Sequence, residues 1–221
     1  MSSRKMSIVL FCCLMIGIEA HSKAIQQNDF SESTDSSDAV TLPIDTKRSL
    51  VEWRGTERRG RSSHEGILTL SNGHLEIEKG QLIGGYFIAD MHSITVTDIP
   101  ESDPIPRRNL TEHLKSEDFF HVEEYPIAKF GIMSAKAIEE GRLMIVGDLS
   151  IRDITKSISF EATKVEGRES SISYEASFQI NRFDWNISYQ GSYWERITSI
   201  IDNNFVDAEM DITVKLTASK K

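Results

Sequence analysis

The chain has 221 residues, of which 39% are hydrophobic and 27% are charged. This balance excludes a collagen, a polytopic membrane bundle and a wholly disordered polymer. The formal net charge of −9 at pH 7 argues against a nucleic-acid-binding role, because phosphate groups require a surface rich in Lys and Arg.

Residues 1–24 have the pattern of a secretory signal peptide. Arg4 and Lys5 precede an apolar run from Met6 to Ile18, which is too short to cross a bilayer of about 30 Å as a helix. Small residues at Ala20 and Ala24 mark two candidate cleavage sites. We therefore expect an exported protein, periplasmic or secreted, and no stable insertion into a membrane.

Residues 25–41 are rich in Ser, Asp and Gln and poor in large apolar groups. Such a segment cannot bury enough surface to offset the entropy lost on ordering, so the composition predicts a flexible linker. No second linker, low-complexity tract or internal repeat follows it. A single domain is therefore expected from residue 42 to residue 221.

In that domain, apolar and polar residues alternate with a period of two. In the last such segment, Met210 and Ile212 alternate with Asp211 and Thr213. This alternation is typical of half-buried strands in an antiparallel sheet. It predicts strands at residues 50–54, 67–70, 82–94, 127–135, 143–151, 158–162, 172–180 and 206–216.

Turn signals and one helical segment separate these strands. Ser71-Asn72-Gly73, Glu140-Gly141 and Glu166-Gly167 predict turns. Leu110 and Leu114 stand at helical spacing after two prolines, which predicts a short helix near residues 107–118. Eight antiparallel strands with one helical insertion favour an all-β, closed barrel. The interior of such a barrel is either filled by side chains or holds one small ligand.

Five segments in order carry a family resemblance. They read DTKRSLVEW at 45–53, GGYFIADMHSI at 84–94, HLKSEDFF at 113–120, GDLSIR at 147–152 and FQINRFDW at 178–185. Together these segments resemble the YceI-like family, the lipocalin-like polyisoprenoid-binding proteins of bacteria. Asp153 departs from the family, since Gly is usual at that turn position. A left-handed conformation costs Asp more than Gly, but Asp tolerates it better than most residues.

The resemblance implies an exported eight-stranded barrel whose apolar interior holds one long-chain amphiphile, an isoprenoid or a fatty derivative. The candidate pocket residues are large and apolar or aromatic: Trp53, Leu68, Phe87, Phe119, Phe120, Phe130, Phe160, Tyr174, Phe178, Ile180, Trp185, Met210 and Ile212. Without the resemblance, the same residues read as ordinary core. Trp194 is a further candidate for the pocket or its mouth.

Two groups are candidates for the ends of the pocket. Phe119 and Phe120 follow the predicted helix and are candidate lid residues, or else a permanent hydrophobic cap. Asn181, Arg182 and Asp184 are candidate contacts to a polar head group. The interpretation we favour for this second group is a structural Arg–Asp hydrogen-bonded pair at a strand end.

No residue spacing predicts catalysis or metal binding. Both cysteines, Cys12 and Cys13, lie in the apolar run, so signal cleavage leaves no thiol for a disulfide or a zinc site. The sequence has no nucleophile elbow, Walker loop, zinc-protease motif or dinucleotide fingerprint. We therefore expect no enzyme activity, no cofactor and no metal.

Two other interpretations stay open at this point. A filled barrel would be a structural or interaction module of the cell envelope. An outer-membrane barrel would turn the same alternation inside out, although the end of the chain, Ala218-Ser219-Lys220-Lys221, lacks the aromatic residue usual in such proteins. A homodimer is compatible with both soluble alternatives, the barrel that holds a ligand and the barrel filled by its own side chains.

Overall fold

The computed structural model describes residues 39–57, 62–165, 171–188 and 206–219. The predicted signal peptide, most of the predicted linker, the predicted turn at Glu166-Gly167 and Trp194 lie outside the described residues. Strand pairing begins at Val40, two residues before the expected start of the domain.

The described residues contain ten strands, one α-helix and two 3₁₀ turns. The 3₁₀ turns span Met91–Ser93 and Arg182–Trp185, and helix α1 spans Pro104–Lys115. The strands are β1 Val40–Pro43, β2 Leu50–Glu57, β3 Ser63–Glu78, β4 Gln81–Asp90, β5 Thr95–Val96, β6 Ile127–Glu139, β7 Arg142–Ile151, β8 Ile154–Val165, β9 Ser171–Asn181 and β10 Val206–Ser219.

Eight of these strands close into an antiparallel barrel, which confirms the predicted fold. The order is β3-β2-β10-β9-β8-β7-β6-β4, and a further pairing of β4 with β3 closes the ring. The first half of β3 pairs with β2, while Leu75 in its second half pairs with Leu42 of β1. β1 and β2 therefore follow one another along the same edge of β3.

The predicted turn at Ser71-Asn72-Gly73 is wrong, because β3 runs through it as a bulged strand. The register shifts between the pairs Leu70–Ala89 and Asn72–Ile88. Gly73 serves a close approach instead of a turn: a Cβ there would lie 2.6 Å from the carbonyl oxygen of Tyr86. The chain reverses later, at Lys79 and Gly80, where φ is positive (49° and 79°).

The predicted strand 82–94 ends early. β4 stops at Asp90, whose side chain accepts a hydrogen bond of 2.9 Å from the His92 N–H. That bond caps the 3₁₀ turn Met91–Ser93, because an Asp carboxylate at this position satisfies a free N–H of the first turn. The short strand β5 follows this turn.

The predicted helix is confirmed, with its start three residues earlier than expected. Pro104 occupies the first turn of α1, where its missing N–H costs nothing and its fixed φ suits the helix. Leu114 is buried in the core. Arg107 donates from Nε to the carbonyl oxygen of Val96 at 2.9 Å, which fixes the helix to β5.

The β7–β8 hairpin turns through two left-handed residues, Arg152 (φ 48°) and Asp153 (φ 58°). Asp153 thus adopts the left-handed conformation, which Asp tolerates better than most residues. The turn brings Arg152 next to the 3₁₀ turn Arg182–Trp185 and the loop after α1, since its side chain bonds to both regions. These segments together surround one end of the barrel.

Candidate functional site

An apolar cavity of about 90 Å³ lies inside the barrel, toward the end that carries the loop after α1. Nine of the predicted pocket residues line it: Trp53, Leu68, Phe87, Phe120, Phe130, Phe178, Ile180, Met210 and Ile212. Phe120 lies in the loop after α1, and alternation along the strands places the other eight side chains inward, because successive residues of a strand point to opposite faces. Apart from Lys129, every residue in the lining is apolar.

Sequence reasoning missed eight further apolar residues of this wall. They are Val51, Ala89, Met91, Ile94, Ala128, Leu149, Ile151 and Val214. Four of them continue the alternation from a predicted residue: Val51, Ala89, Ala128 and Val214 stand two residues from Trp53, Phe87, Phe130 and Ile212 respectively.

A second and smaller cavity of about 30 Å³ lies beside the first. Phe160 and Tyr174, two predicted pocket residues, line only this second cavity, with Leu75, Leu82, Ile145 and Leu216 among its other walls. Phe87, Phe130 and Val214 border both cavities. Burial raises the pKa of the Tyr174 phenol, as expected for a hydroxyl in apolar surroundings.

Two predicted pocket residues, Phe119 and Trp185, border neither cavity. The ring of Phe119 packs edge-on against that of Phe120, with their centroids 5.0 Å apart. Trp185 is 1% exposed and donates from Nε1 to the carbonyl oxygen of Leu149 at 3.2 Å. Both residues therefore stand behind the wall of the larger cavity and support it.

Arg152 joins the segments at this end of the barrel. Its Nη1 donates to the carbonyl oxygens of Phe119 at 3.0 Å and Asn186 at 2.6 Å. The guanidinium also lies 5.6 Å from the ring centroid of Tyr125, within the range of a cation–π contact. The loop that carries Phe119 is thus held to the 3₁₀ turn that carries Trp185.

The three candidate head-group residues do not line the cavity. Arg182 is 1% exposed and donates to the carbonyl oxygens of Asp207 at 3.2 Å and Ile187 at 2.7 Å. Burial lowers the pKa of this guanidinium. Asn181 caps the 3₁₀ turn by accepting from the Phe183 N–H at 3.1 Å, and Asp184 is exposed. Arg182 and Asn181 therefore fix the ends of β9 and β10, and the bonds of Arg182 go to backbone carbonyl oxygens.

The described ranges also contain polar side chains outside the two cavities. No group of three or more His, Cys, Asp or Glu side chains there could hold a metal ion. No helix in the same ranges combines the length and the apolar character needed to cross a membrane. The indole Nε1 of Trp53 is buried and finds no hydrogen-bond partner in the structure.

Comparison with known proteins places the chain in context. The family model described as YceI-like domain matches residues 42–218. A UPF0312 protein of Shewanella denitrificans is 38% identical over 68 residues, which are 30% of this chain and 36% of that protein. A UPF0312 protein of Pseudomonas putida strain W619 is 31% identical over 86 residues, 37% of this chain and 45% of that protein. The chain spans less than half the length of the curated relatives it matches.

Two solved structures share the fold. Burkholderia cenocepacia BcnA superposes with a TM-score of 0.63 at 16% identity, covering 80% of this chain and 99% of BcnA. A polyisoprenoid-binding domain from Saccharophagus degradans, implicated in plant cell wall breakdown, superposes with a TM-score of 0.57 at 9% identity, covering 81% of this chain and 98% of that domain.

Proposed function

The chain belongs to the YceI-like domain family, and we propose that it is an exported, non-catalytic binding protein. It holds the apolar chain of an amphiphile, an isoprenoid or a fatty derivative, in the cavity of its barrel. Its role is to carry or sequester that molecule in the cell envelope, in the periplasm or outside the cell.

The observation that carries this proposal is the nearly uniform apolar lining of the larger cavity. Such a wall offers few hydrogen bonds to a polar ligand but removes hydrocarbon from water, which is worth about 0.8 kcal/mol per buried CH₂. An engineered apolar cavity of about 150 Å³ holds one benzene molecule. At that volume per carbon atom, a cavity of about 90 Å³ has room for about three or four methylene-sized groups. This is the size of the terminal part of a fatty or prenyl chain.

The polar outer face of the barrel fits a protein that is surrounded by water. In β10, the buried Met210 and Val214 alternate with Asp211 and Lys215, which are exposed or half-buried. Lys215 pairs with Glu52 of β2 at 2.7 Å. An outer-membrane barrel has the reverse arrangement, with an apolar exterior and a polar lumen.

The class of ligand has support from one relative of known structure. The Saccharophagus degradans domain is described as polyisoprenoid-binding, and it has the same barrel. A prenyl chain is branched and apolar, and the aromatic and aliphatic side chains that line this cavity suit it.

A second candidate function is an interaction module whose barrel is filled by its own side chains. The specific observation in its favour is the division of the interior into two small cavities by Phe87 and Phe130. In that case the outer surface, and not the interior, would carry the function.

Titration of the delipidated protein separates the two candidates. The purified chain is extracted with organic solvent, refolded, and titrated with farnesol and with palmitate while the fluorescence of its tryptophans is followed, because Trp53 lines the cavity. The proposed function predicts a saturable change with one molecule bound per barrel. No saturable uptake of either probe by a folded barrel would favour the interaction module.

A further inference from the structure

We propose that Phe87 and Phe130 form a fixed wall across the barrel that limits the length of chain the protein accepts. The inference rests on the proposed binding function and specifies its ligand. Both rings border the larger cavity on one side and the smaller cavity on the other. Phe87 and Phe130 are register partners on β4 and β6, and their ring centroids are 5.5 Å apart.

The order of the residues along the strands shows that the two cavities are stacked along the barrel. On β4, Leu82 borders the smaller cavity, Phe87 borders both and Ala89 borders the larger one. On β10, Ile212 borders the larger cavity, Val214 both and Leu216 the smaller. A chain that enters at the Phe120 end therefore meets the wall before it reaches the smaller cavity.

Neighbouring rings and a glycine hold the wall in place. Phe130 is 2% exposed, and its ring lies 5.4 Å from that of Phe160, which stacks at 4.2 Å on Phe178. A Cβ at Gly147 would lie only 2.5 Å from Cζ of Phe130. The ring thus occupies the space that the missing side chain of Gly147 leaves. A close-packed ring of this kind does not swing aside without moving its neighbours.

Removal of the wall joins the two cavities. Phe130→Ala opens the smaller cavity to the larger one, while Phe130→Leu does so in part and keeps more of the packing. Ile145→Ala is the matched control, because Ile145 borders only the smaller cavity and its truncation leaves the wall intact. Thermal unfolding of each variant identifies those that fold.

The experiment is a competition between geraniol, farnesol and geranylgeraniol, followed by native mass spectrometry of the whole chain. Dividing the occupancies of each variant by those of the wild type cancels the lower water solubility of the longer alcohols. Each further buried methylene raises affinity about fourfold. Relative to the wild type, we expect the ratio of bound geranylgeraniol to bound farnesol to rise at least about tenfold in Phe130→Ala. The rise should be smaller in Phe130→Leu and absent in Ile145→Ala.

The outcomes separate this inference from the proposed function. If the folded Phe130 variants bind the alcohols with the same preference for chain length as the wild type, Phe87 and Phe130 do not limit the length of the ligand. The proposed binding function would then still stand. The same shift in Ile145→Ala would also overturn the wall, because the smaller cavity would then be reached without its removal. No uptake of any alcohol by any folded protein would overturn both.

Discussion

The guanidinium of Arg152 donates a hydrogen bond of 3.0 Å to the carbonyl oxygen of Phe119. The bond joins the β7–β8 turn to the loop that follows α1, across 33 residues of sequence. The neighbouring Phe120 is part of the cavity wall. On the proposed function, a ligand would enter or leave past this loop, which Arg152 holds in place.

Replacement of Arg152 should speed ligand exchange. Arg152→Ala removes hydrogen bonds from a charged donor, each worth roughly 1–2 kcal/mol at a partly buried site. We expect the dissociation rate of bound farnesol to rise about tenfold or more, as measured by transfer to an excess of unlabelled acceptor protein. Arg152→Lys keeps the charge but loses the geometry of the guanidinium. Its farnesol dissociation rate should therefore lie between those of the wild type and Arg152→Ala.

Arg142 provides the control for that prediction. It is also an arginine at a hairpin, where it pairs with Glu139 and Glu161, but it lies near the β6–β7 turn and borders neither cavity. Arg142→Ala should leave the dissociation rate unchanged. If Arg142→Ala and Arg152→Ala raised the dissociation rate of farnesol equally, the hydrogen bonds of Arg152 would have no specific effect on ligand exchange.

A charge introduced into the cavity should abolish binding. Met210 is 5% exposed and lines the larger cavity, so Met210→Asp places a carboxylate in an apolar wall, at a cost of several kcal/mol. Thr213→Asp introduces the same side chain on the opposite face of β10, where Thr213 bonds to Ser177. We expect loss of farnesol binding, with or without loss of folding, only in Met210→Asp. Binding retained by a folded Met210→Asp would contradict the assigned cavity.

Alanine substitution should affect stability differently at two glycines of neighbouring strands, Gly66 of β3 and Gly55 of β2. A Cβ at Gly66 would meet the Thr95 carbonyl oxygen and would lie 2.6 Å from Cζ2 of Trp53. Gly66→Ala should therefore lower the free energy of unfolding by about 1–3 kcal/mol or more. A Cβ at Gly55 would have nothing within 4 Å, so Gly55→Ala should be neutral or stabilise by up to about 1 kcal/mol.

Chemical denaturation of both variants checks this pair. Because Trp53 lines the cavity, Gly66→Ala should also weaken ligand binding, while Gly55→Ala should not. Equal free energies of unfolding for Gly66→Ala and Gly55→Ala would contradict the close packing of Trp53 against Gly66 of β3.

Asp98 should contribute to the acid sensitivity of the protein. Partial burial acts to raise its pKa, but hydrogen bonds from His64 and from the Glu65 N–H outweigh it, so the pKa of Asp98 is lowered. A carboxyl group with a lowered pKa in the folded state stabilises the protein above its unfolded pKa, and this contribution is lost as the pH falls through its folded pKa.

The expected result is a smaller loss of stability below about pH 4 in Asp98→Asn than in wild type. The two proteins are compared by urea denaturation between neutral and acid pH. The variant should be the less stable of the two at neutral pH, and the difference should narrow on acidification. A constant difference across the whole range would exclude a role for the ionisation of Asp98.

The alternation of apolar and polar residues made the barrel and most of its inner wall predictable. Inward positions such as Phe178, Ile180 and Met210 follow directly from a period of two, and all three line the larger cavity. The helix was predictable too, since the spacing of Leu110 and Leu114 and the preceding prolines are local signals.

Other features depend on contacts between distant segments, which a local pattern does not contain. Asn-Gly at positions 72 and 73 reads as a turn, but the barrel uses Gly73 to bring β3 close to Tyr86. The wall of Phe87 and Phe130 depends on the pairing of β4 with β6, whose partners are separated by the helical insertion. The space that Gly147 leaves for the Phe130 ring likewise exists only once β6 and β7 have paired.

Native mass spectrometry of the chain, expressed with its first 24 residues and purified without organic solvent, decides whether the barrel carries an amphiphile. We expect a mature protein, shortened at Ala20 or Ala24, that carries a discrete extra mass, and organic extraction should remove that mass. The value of the mass would identify the amphiphile. The same bare protein mass before and after extraction, together with no uptake of farnesol or palmitate on titration, would contradict the account.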